Sequence, residues 1–134
     1  MKVILVGTDD ALLEGLAQAF AAQGFSPQVV PTLVDACEAS IDAAPHMAVI
    51  ERRLALAAAG DALAISLAPG GSLVLYSGGA SDRAATPAVL QRLVMAELTL
   101  PLERNRLLAL AQHVSDRALT TGRLARNTPP ESRI

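Results

Sequence analysis

The chain has 134 residues, which suits a single domain with a buried core. Apolar residues make up 51% of the chain and charged residues 18%, so we expect a folded soluble domain. The net charge of -2 gives no reason to expect direct nucleic-acid binding. Cys37 is the only cysteine, which excludes an intrachain disulfide and a cysteine-based zinc site. We expect no resident metal and no cofactor.

The amino-terminal apolar run, Val3 to Val6, is too short for a signal peptide or a membrane span. We therefore expect a cytoplasmic protein without membrane contact. The alanine-rich composition, with arginine favoured over lysine, is typical of a GC-rich bacterial genome.

Short apolar runs alternate with helical patterns along the chain. The predicted elements, in chain order, are a strand at Lys2–Val6, a helix at 11–23, a strand at 28–30, a helix at 33–44, a strand at 47–50, a loop and helix within 54–68, a strand at 73–76, a helix from Thr86-Pro87, a strand at 97–100 and a last helix from Leu102 or Glu103. Asp9 or Asp10 and Thr32 are suitable N-caps. Five strands alternating with five helices predict an α/β fold with a parallel sheet covered on both faces. We predict one domain over 1–126, followed by a disordered tail or linker over 127–134.

Polar residues follow several predicted strands. Thr8 and Asp9 follow the first, Glu51 the third and Ser77 the fourth, whereas Leu100 ends the fifth. The carboxyl ends of the strands of an open parallel sheet meet near its switch point, so these residues are expected to lie together. The first loop, 7-GTDD-10, lacks the glycine pattern of a dinucleotide site.

Four segments carry a family resemblance: 4-ILVGTDD-10, 46-HMAVIE-51, 72-SLVLYS-77 and 98-LTLPLERNRLLALAQHV-114. Together they resemble the CheY-like receiver domain of response regulators, and the last segment resembles receivers of NtrC-type transcription regulators most. The resemblance covers about 1–125 and implies the doubly wound strand order 2-1-3-4-5 with five helices.

The resemblance assigns roles to the strand-end residues. The acidic pair that binds magnesium in receivers falls on Thr8 and Asp9, so one carboxylate is missing. The aspartate that accepts the phosphoryl group falls on Glu51. The serine or threonine and the lysine that read the phosphorylated state in receivers fall on Ser77 and Leu100.

Two further positions follow from the same resemblance. Pro101 matches the family's proline, which implies a cis Leu100-Pro101 bond. The aromatic switch position falls on Glu97. Lys2 is the only lysine in the chain and opens the first strand, at the opposite end from the site.

These replacements weaken phosphoryl transfer, which needs magnesium and cationic side chains to neutralise the phosphoryl oxygens. Glutamate reaches one methylene further than aspartate and displaces its oxygens by about 1.5 Å, and about 1 Å can cost on the order of a hundredfold in rate. Three interpretations of Glu51 stay open: a carboxylate solvated or paired with Arg52 or Arg53, a mimic of a phosphorylated aspartate, or a weak cation or ligand site with Asp9.

We therefore predict a pseudo-receiver without catalytic residues, a phosphorylation-independent module that regulates by protein contact. It would be the input domain of a transcription regulator or a stand-alone adaptor. Its partner would be another protein or a second copy, bound through the face of the fourth helix, fifth strand and fifth helix. The residues expected on that face are Leu90, Arg92, Leu93, Arg104 and Arg106.

Other interpretations compete with this prediction. One is a flavodoxin-like domain that binds a small ligand or nucleotide, and another is a receiver phosphorylated at an atypical aspartate, Asp9 or Asp10. Outside the strand ends, we expect Cys37 to be a small core residue and His46 to lie at the surface.

Overall fold

The computed structural model describes residues 1–57, 65–77, 92 and 94–126. The elements are β1 (Lys2–Val6), α1 (Asp10–Ala22), β2 (Ser26–Val30), α2 (Leu33–Asp42), β3 (Met47–Glu51), α3 (Arg52–Ala57), β4 (Ser72–Ser77), β5 (Val94–Thr99) and α4 (Arg104–Arg126). The helix predicted from Thr86-Pro87 and the predicted tail at 127–134 lie outside the described residues.

A side-chain N-cap marks the start of each of the first two helices. An oxygen of Asp9 accepts the backbone N–H of Leu12 at 3.1 Å, and the Thr32 hydroxyl accepts that of Asp35 at 3.1 Å. Each contact satisfies an N–H that has no partner within the helix. Both predicted caps are therefore confirmed, with Asp9 rather than Asp10 capping α1.

The five strands form one parallel sheet in the order β2-β1-β3-β4-β5, as predicted. Strand β2 is added on one side of β1, and β3 is added on the other side. The carboxyl ends of β1 and β3 therefore lie side by side at the switch point of the sheet. In the register of β3 with β4, Glu51 lies beside Tyr76. In the register of β4 with β5, Ser77 lies beside Thr99.

Each face of the sheet carries its own apolar core, because successive side chains of a strand point to opposite faces. The first core joins α1 and α4 to one face, through residues that include Leu5, Leu13, Phe20, Val49, Tyr76, Leu100, Leu107 and Ala111. The second core joins α2 and α3 to the other face, through residues that include Ile4, Val6, Leu33, Ala36, Ile50, Ala55 and Leu75. Helices α2 and α4 consequently lie on opposite faces of the sheet.

Several predictions of local structure are wrong. Strand β2 begins at Ser26 rather than at residue 28, and α2 ends at Asp42 rather than at residue 44. A helix begins at Arg52, directly after β3, where a loop was expected; it buries Arg52 and Ala55. Strand β5 begins at Val94 rather than at residue 97, with a register shift opposite Leu73/Val74 of β4. His46 is half-buried rather than at the surface. Its backbone bridges the first and fourth strands: its N–H donates to the carbonyl of Lys2 at 2.9 Å, and its own carbonyl accepts from the N–H of Ser72 at 2.9 Å.

One prediction of side-chain environment holds. Cys37 packs, partly buried, against the second core. Within the described part of the chain, no helix has both the length and the apolar character needed to cross a membrane.

Candidate functional site

Glu51 ends β3, and its carboxylate is held by Thr8, the second residue after β1. The backbone N–H and the hydroxyl of Thr8 both donate to the same oxygen, Oε2, each at 3.0 Å. The side chain of Glu51 is 16% exposed. Its carboxylate is thus largely covered at the edge of the sheet where the sequence predicted the site.

Arg53 completes the contacts of this carboxylate. Its Nη2 lies 2.9 Å from Oε1 of Glu51 and donates to the hydroxyl of Thr8 at 3.1 Å. The arginine side chain is 70% exposed, so it closes the site from the solvent side. Thr8, Glu51 and Arg53 form a closed ring of hydrogen bonds, named here the strand-end network. Arg53, one of the two arginines proposed as partners of Glu51, thus pairs with it.

Asp9 directly follows Thr8 in the chain, but its carboxylate caps a helix instead of joining the network. Its Oδ1 caps α1 by accepting the N–H of Leu12. Among the described residues, no group of three histidine, cysteine, aspartate or glutamate side chains has an arrangement that would hold a metal ion. The Asp9 and Glu51 oxygens that the sequence suggested as weak cation ligands are therefore engaged, at least in part, in contacts within the protein.

Ser77 and Leu100 meet at the ends of β4 and β5 through their backbones. The N–H of Leu100 donates to the carbonyl of Ser77 at 2.9 Å. The Leu100 side chain is fully buried in the first core, so it extends the apolar packing where a receiver's lysine would carry a charge. The Leu100-Pro101 bond is cis, as the resemblance implied.

Tyr76 lies beside Glu51 and was not singled out from the sequence. Its hydroxyl is buried and has no hydrogen-bond partner among the described residues. A Cβ added to Gly7 would overlap this hydroxyl, which shows that the phenol crosses β3 and ends against β1. Burial raises the pKa of Tyr76, and the carboxylates of Glu51 and Asp9 raise it further, whereas Arg53 opposes them. The phenol therefore stays neutral and fills the space beneath the strand ends.

A second cross-sheet contact begins next to Glu51. Arg52 is 9% exposed, and its Nε lies 3.7 Å from Oε1 of Glu97, which is 46% exposed. Because the sheet order is β3-β4-β5, this pair spans β4 and connects the start of α3 to β5. Glu97 is the residue at the aromatic switch position of the receiver pattern.

The loop between β5 and α4 is fastened by Glu103. Its Oε1 accepts the N–H of Thr99 at 3.0 Å, and its Oε2 accepts from Arg106 at 3.1 Å. The bond from Thr99, followed by that from Arg106, lowers the pKa of Glu103. Leu102, at the tip of this loop, is 86% exposed.

The predicted interaction face is described only in part. Arg92, Arg104 and Arg106 are exposed, whereas Leu90 and Leu93 lie outside the described residues. Arg106 also pairs with Glu103, so it is not wholly available to a partner.

No protein-family model and no curated protein matches this sequence. Solved structures do match. The receiver domain (CheY-like) of a response regulator from Methylobacillus flagellatus is 19% identical with a TM-score of 0.69, over 85% of this chain and 98% of that one. The N-terminal domain of a response regulator/sensory box/GGDEF three-domain protein from Carboxydothermus hydrogenoformans is 12% identical with a TM-score of 0.70, over 90% of this chain and 98% of that one.

A third similar structure is NtrX from Brucella abortus, solved in complex with ADP. It is 16% identical with a TM-score of 0.69, over 93% of this chain and 28% of the NtrX chain. The chain thus has the CheY-like receiver fold that its sequence resembles. The finer resemblance to NtrC-type receivers has only weak support, from the match to NtrX.

Proposed function

We propose that the chain is a pseudo-receiver, a regulatory module that works by protein contact without being phosphorylated. The observation that carries this proposal is the strand-end network. Both oxygens of Glu51 are engaged, one by two donors of Thr8 and the other by Arg53.

A carboxylate must present a free oxygen to attack a phosphorus atom. Here the attacking oxygen would first have to exchange a charge-assisted contact with Arg53, or two hydrogen bonds from Thr8, for a magnesium ion and a phosphoryl donor. Covered hydrogen bonds to charged groups are each worth about 1.5–3 kcal/mol, and the exposed position of Arg53 reduces the share of its ion pair. The exchange is therefore costly before any chemistry begins.

The strand ends lack one carboxylate of the receiver's acidic pair and the receiver's lysine, and the cation that is present, Arg53, is already paired with the acceptor. Thr8 replaces one of the two carboxylates of the acidic pair, and Leu100 replaces the lysine. Magnesium in proteins favours carboxylate oxygens in octahedral geometry, and the transferred phosphoryl group needs a nearby cation. Glu51 acts instead as a structural acceptor that holds the first loop against β3.

The regulatory output would pass through a protein interface, and a bacterial cytoplasmic location is part of the same proposal. We propose self-association or partner binding through the face that contains β5 and the start of α4. Arg92, Arg104 and Arg106 are the described residues of this face. The module would serve as the input domain of a transcription regulator or as an adaptor.

Phosphoryl transfer from acetyl phosphate in the presence of magnesium, read by intact mass, tests the loss of the chemistry. The native chain should gain no phosphoryl group. The triple variant Thr8→Asp, Glu51→Asp, Leu100→Lys restores the acidic pair, the acceptor and the lysine, and it should gain one. Because a lysine at the buried position 100 can prevent folding, the double variant Thr8→Asp, Glu51→Asp is tested beside it for thermal stabilisation by magnesium.

Stoichiometric modification of the native chain would overturn the proposal, and peptide mapping would then locate the acceptor. Modification at Asp9 or Asp10 would identify an atypical receiver. The variant Arg53→Gln gives a sharper internal control, because it opens the network without restoring any magnesium ligand and should remain unmodified.

A further inference from the structure

The outer surface of α2 exposes apolar side chains that its own domain does not cover. Val34 is 59% exposed and Ile41 is 78% exposed. They are seven residues apart and therefore lie on the same side of the helix, with the exposed Glu38 between them. Val34, Glu38 and Ile41 are named here the α2 strip.

The charged side chains of α2 are all acidic, and the cation at the end of the helix, Lys2, donates to the carbonyls of Ala39 and Ala43. Helix α2 contains Asp35, Glu38 and Asp42 and no basic residue. No ion pair to any of these three carboxylates occurs within the described ranges. An apolar strip with an acidic border fits a helix that has apolar and basic residues.

Helix α4 is longer than the sheet that it covers. Its 23 residues extend over about 34 Å, whereas strands of five or six residues extend over about 17–20 Å. Among the side chains that the structure describes, Val114 is the last buried one of α4. The helical backbone continues from there to Arg126. The segment Ser115–Arg126 is named here the α4 extension.

The α4 extension contains the basic and apolar residues that would complement the acidic and apolar α2 strip. Its sequence, SDRALTTGRLAR, contains three arginines and one aspartate, together with two leucines. Arg117, the arginine of this segment whose side chain is described, is exposed. The segment is thus basic and partly apolar, whereas α2 is acidic and partly apolar.

Within one copy, α2 packs on the second core and α4 on the first, so the two helices lie on opposite faces of the sheet. We therefore consider a contact between two copies. We propose that the α4 extension of one copy docks on the α2 strip of a second copy, and that the exchange is reciprocal about a two-fold axis.

This surface differs from the one proposed for the regulatory face. Arg104 and Arg106 stand at the start of α4, near the carboxyl edge of the sheet. The α4 extension lies at the other end of that helix, beyond the amino edge. Variants of the two regions therefore test separate proposals.

Sedimentation velocity of the full chain, at low salt and over a range of concentrations, tests the docking. The native chain should form a dimer that weakens as salt is raised, because exposed charge pairs are screened. Ile41→Lys should raise the dissociation constant at least tenfold. Gln18→Lys places the same charge at an exposed position of α1, on the opposite face of the sheet from α2, and should leave the constant unchanged.

Charge exchange gives the more demanding test. Glu38→Arg, Asp42→Arg in one preparation and Arg117→Glu, Arg123→Glu in another should each weaken the homodimer at least tenfold. Their equimolar mixture should form a heterodimer, because one interface then carries reversed but matching charges and the other carries native ones. Circular dichroism checks that each variant is folded.

Three results would overturn the proposal. One is a native chain that stays monomeric at low salt throughout the concentration range. Another is a dimer that Ile41→Lys and Gln18→Lys weaken equally. The third is a pair of folded charge variants whose mixture does not associate.

Discussion

The hydroxyl of Tyr76 occupies the space that the missing side chain of Gly7 leaves open. A Cβ on Gly7 would overlap this hydroxyl and would also lie 3.2 Å from the Cδ1 of Leu13. Tyr76 belongs to β4, and Gly7 directly follows β1; strand β3 lies between these two strands. The phenol thus lies under the end of β3, where Glu51 begins the strand-end network.

Removal of the Tyr76 hydroxyl should not destabilise the protein. The hydroxyl has no hydrogen-bond partner among the described residues, and an unsatisfied buried hydroxyl costs roughly 1–3 kcal/mol. Tyr76→Phe should therefore leave the free energy of unfolding unchanged or raise it by about 1 kcal/mol, measured by urea denaturation. A loss of more than about 1 kcal/mol would show that the hydroxyl has a partner, such as a buried water.

Gly7→Ala serves as the partner substitution in a double-mutant cycle. Gly7→Ala should lower the free energy of unfolding by about 1–3 kcal/mol, because the added methyl group overpacks the site. The cost should be smaller in the Tyr76→Phe background, because the overlapping oxygen is then absent. Equal costs in the two backgrounds would contradict the contact between these residues.

Opening the strand-end network should have a measurable but moderate effect on stability. Arg53→Gln removes an ion pair to a mostly covered carboxylate, and we expect a loss of about 0.5–1 kcal/mol in the free energy of unfolding. Arg106→Gln is the matched control, since its pair with Glu103 is more exposed on the acidic side. A smaller loss for Arg53→Gln than for Arg106→Gln would contradict a structural role for the network.

His46 should make the protein sensitive to mild acid. Burial, and then the positive amino terminus, lower the pKa of His46 below its ordinary 6.5. The unfolded chain therefore binds a proton at a higher pH than the folded chain does. Stability should begin to fall as the pH drops through about 6.5, and this loss should be complete below the lowered folded pKa.

The variant His46→Gln removes the titrating group and should flatten this part of the stability curve. Its stability relative to the native chain should thus improve as the pH falls below about 6.5. His113→Gln, at an exposed position of α4, controls for the loss of a histidine as such. A constant difference between His46→Gln and the native chain across this pH range would contradict the prediction.

Glu103 should protect the amide of Thr99 from hydrogen exchange. The lowered pKa of Glu103 means that its contribution is present above about 4.5 and is lost as the pH falls through the folded value. Glu103→Gln should accelerate exchange of the Thr99 N–H, because a neutral amide oxygen is a weaker acceptor. The N–H of Leu100, bonded to the Ser77 carbonyl, is the internal reference and should change less.

The sequence predicted correctly those element boundaries that depend on neighbouring residues alone, such as a short apolar run or a capping side chain. Strand β1 begins and ends where expected, and Asp9 and Thr32 cap the helices that they precede. Strand β5 was placed too late, because the apolar run before Glu97 suits a helix as well as a strand. The start of α3 was missed because a helix that directly follows a strand has no separate capping signal.

The site could be predicted in position but only partly in its contacts. The meeting of Thr8 with Glu51 follows from topology and was expected from the strand order. The choice of Arg53 over Arg52 depends on which way each side chain of α3 points, and Arg52 turns instead toward Glu97. The role of Tyr76 depends on a contact across an intervening strand, and the isolated Gly7 after a strand was its one visible signal.

The single lysine has a consequence for chemical probing. Lys2 donates through Nζ to the backbone carbonyl of Ala43 at 2.9 Å and to that of Ala39 at 3.4 Å, at the end of α2. Apart from the amino terminus, this is the only amine in the chain. Acylation of that amine would remove both donors and uncap the helix. The rate of labelling by an amine-reactive ester, followed by peptide mapping, thus reports how often the last turn of α2 detaches from the first strand.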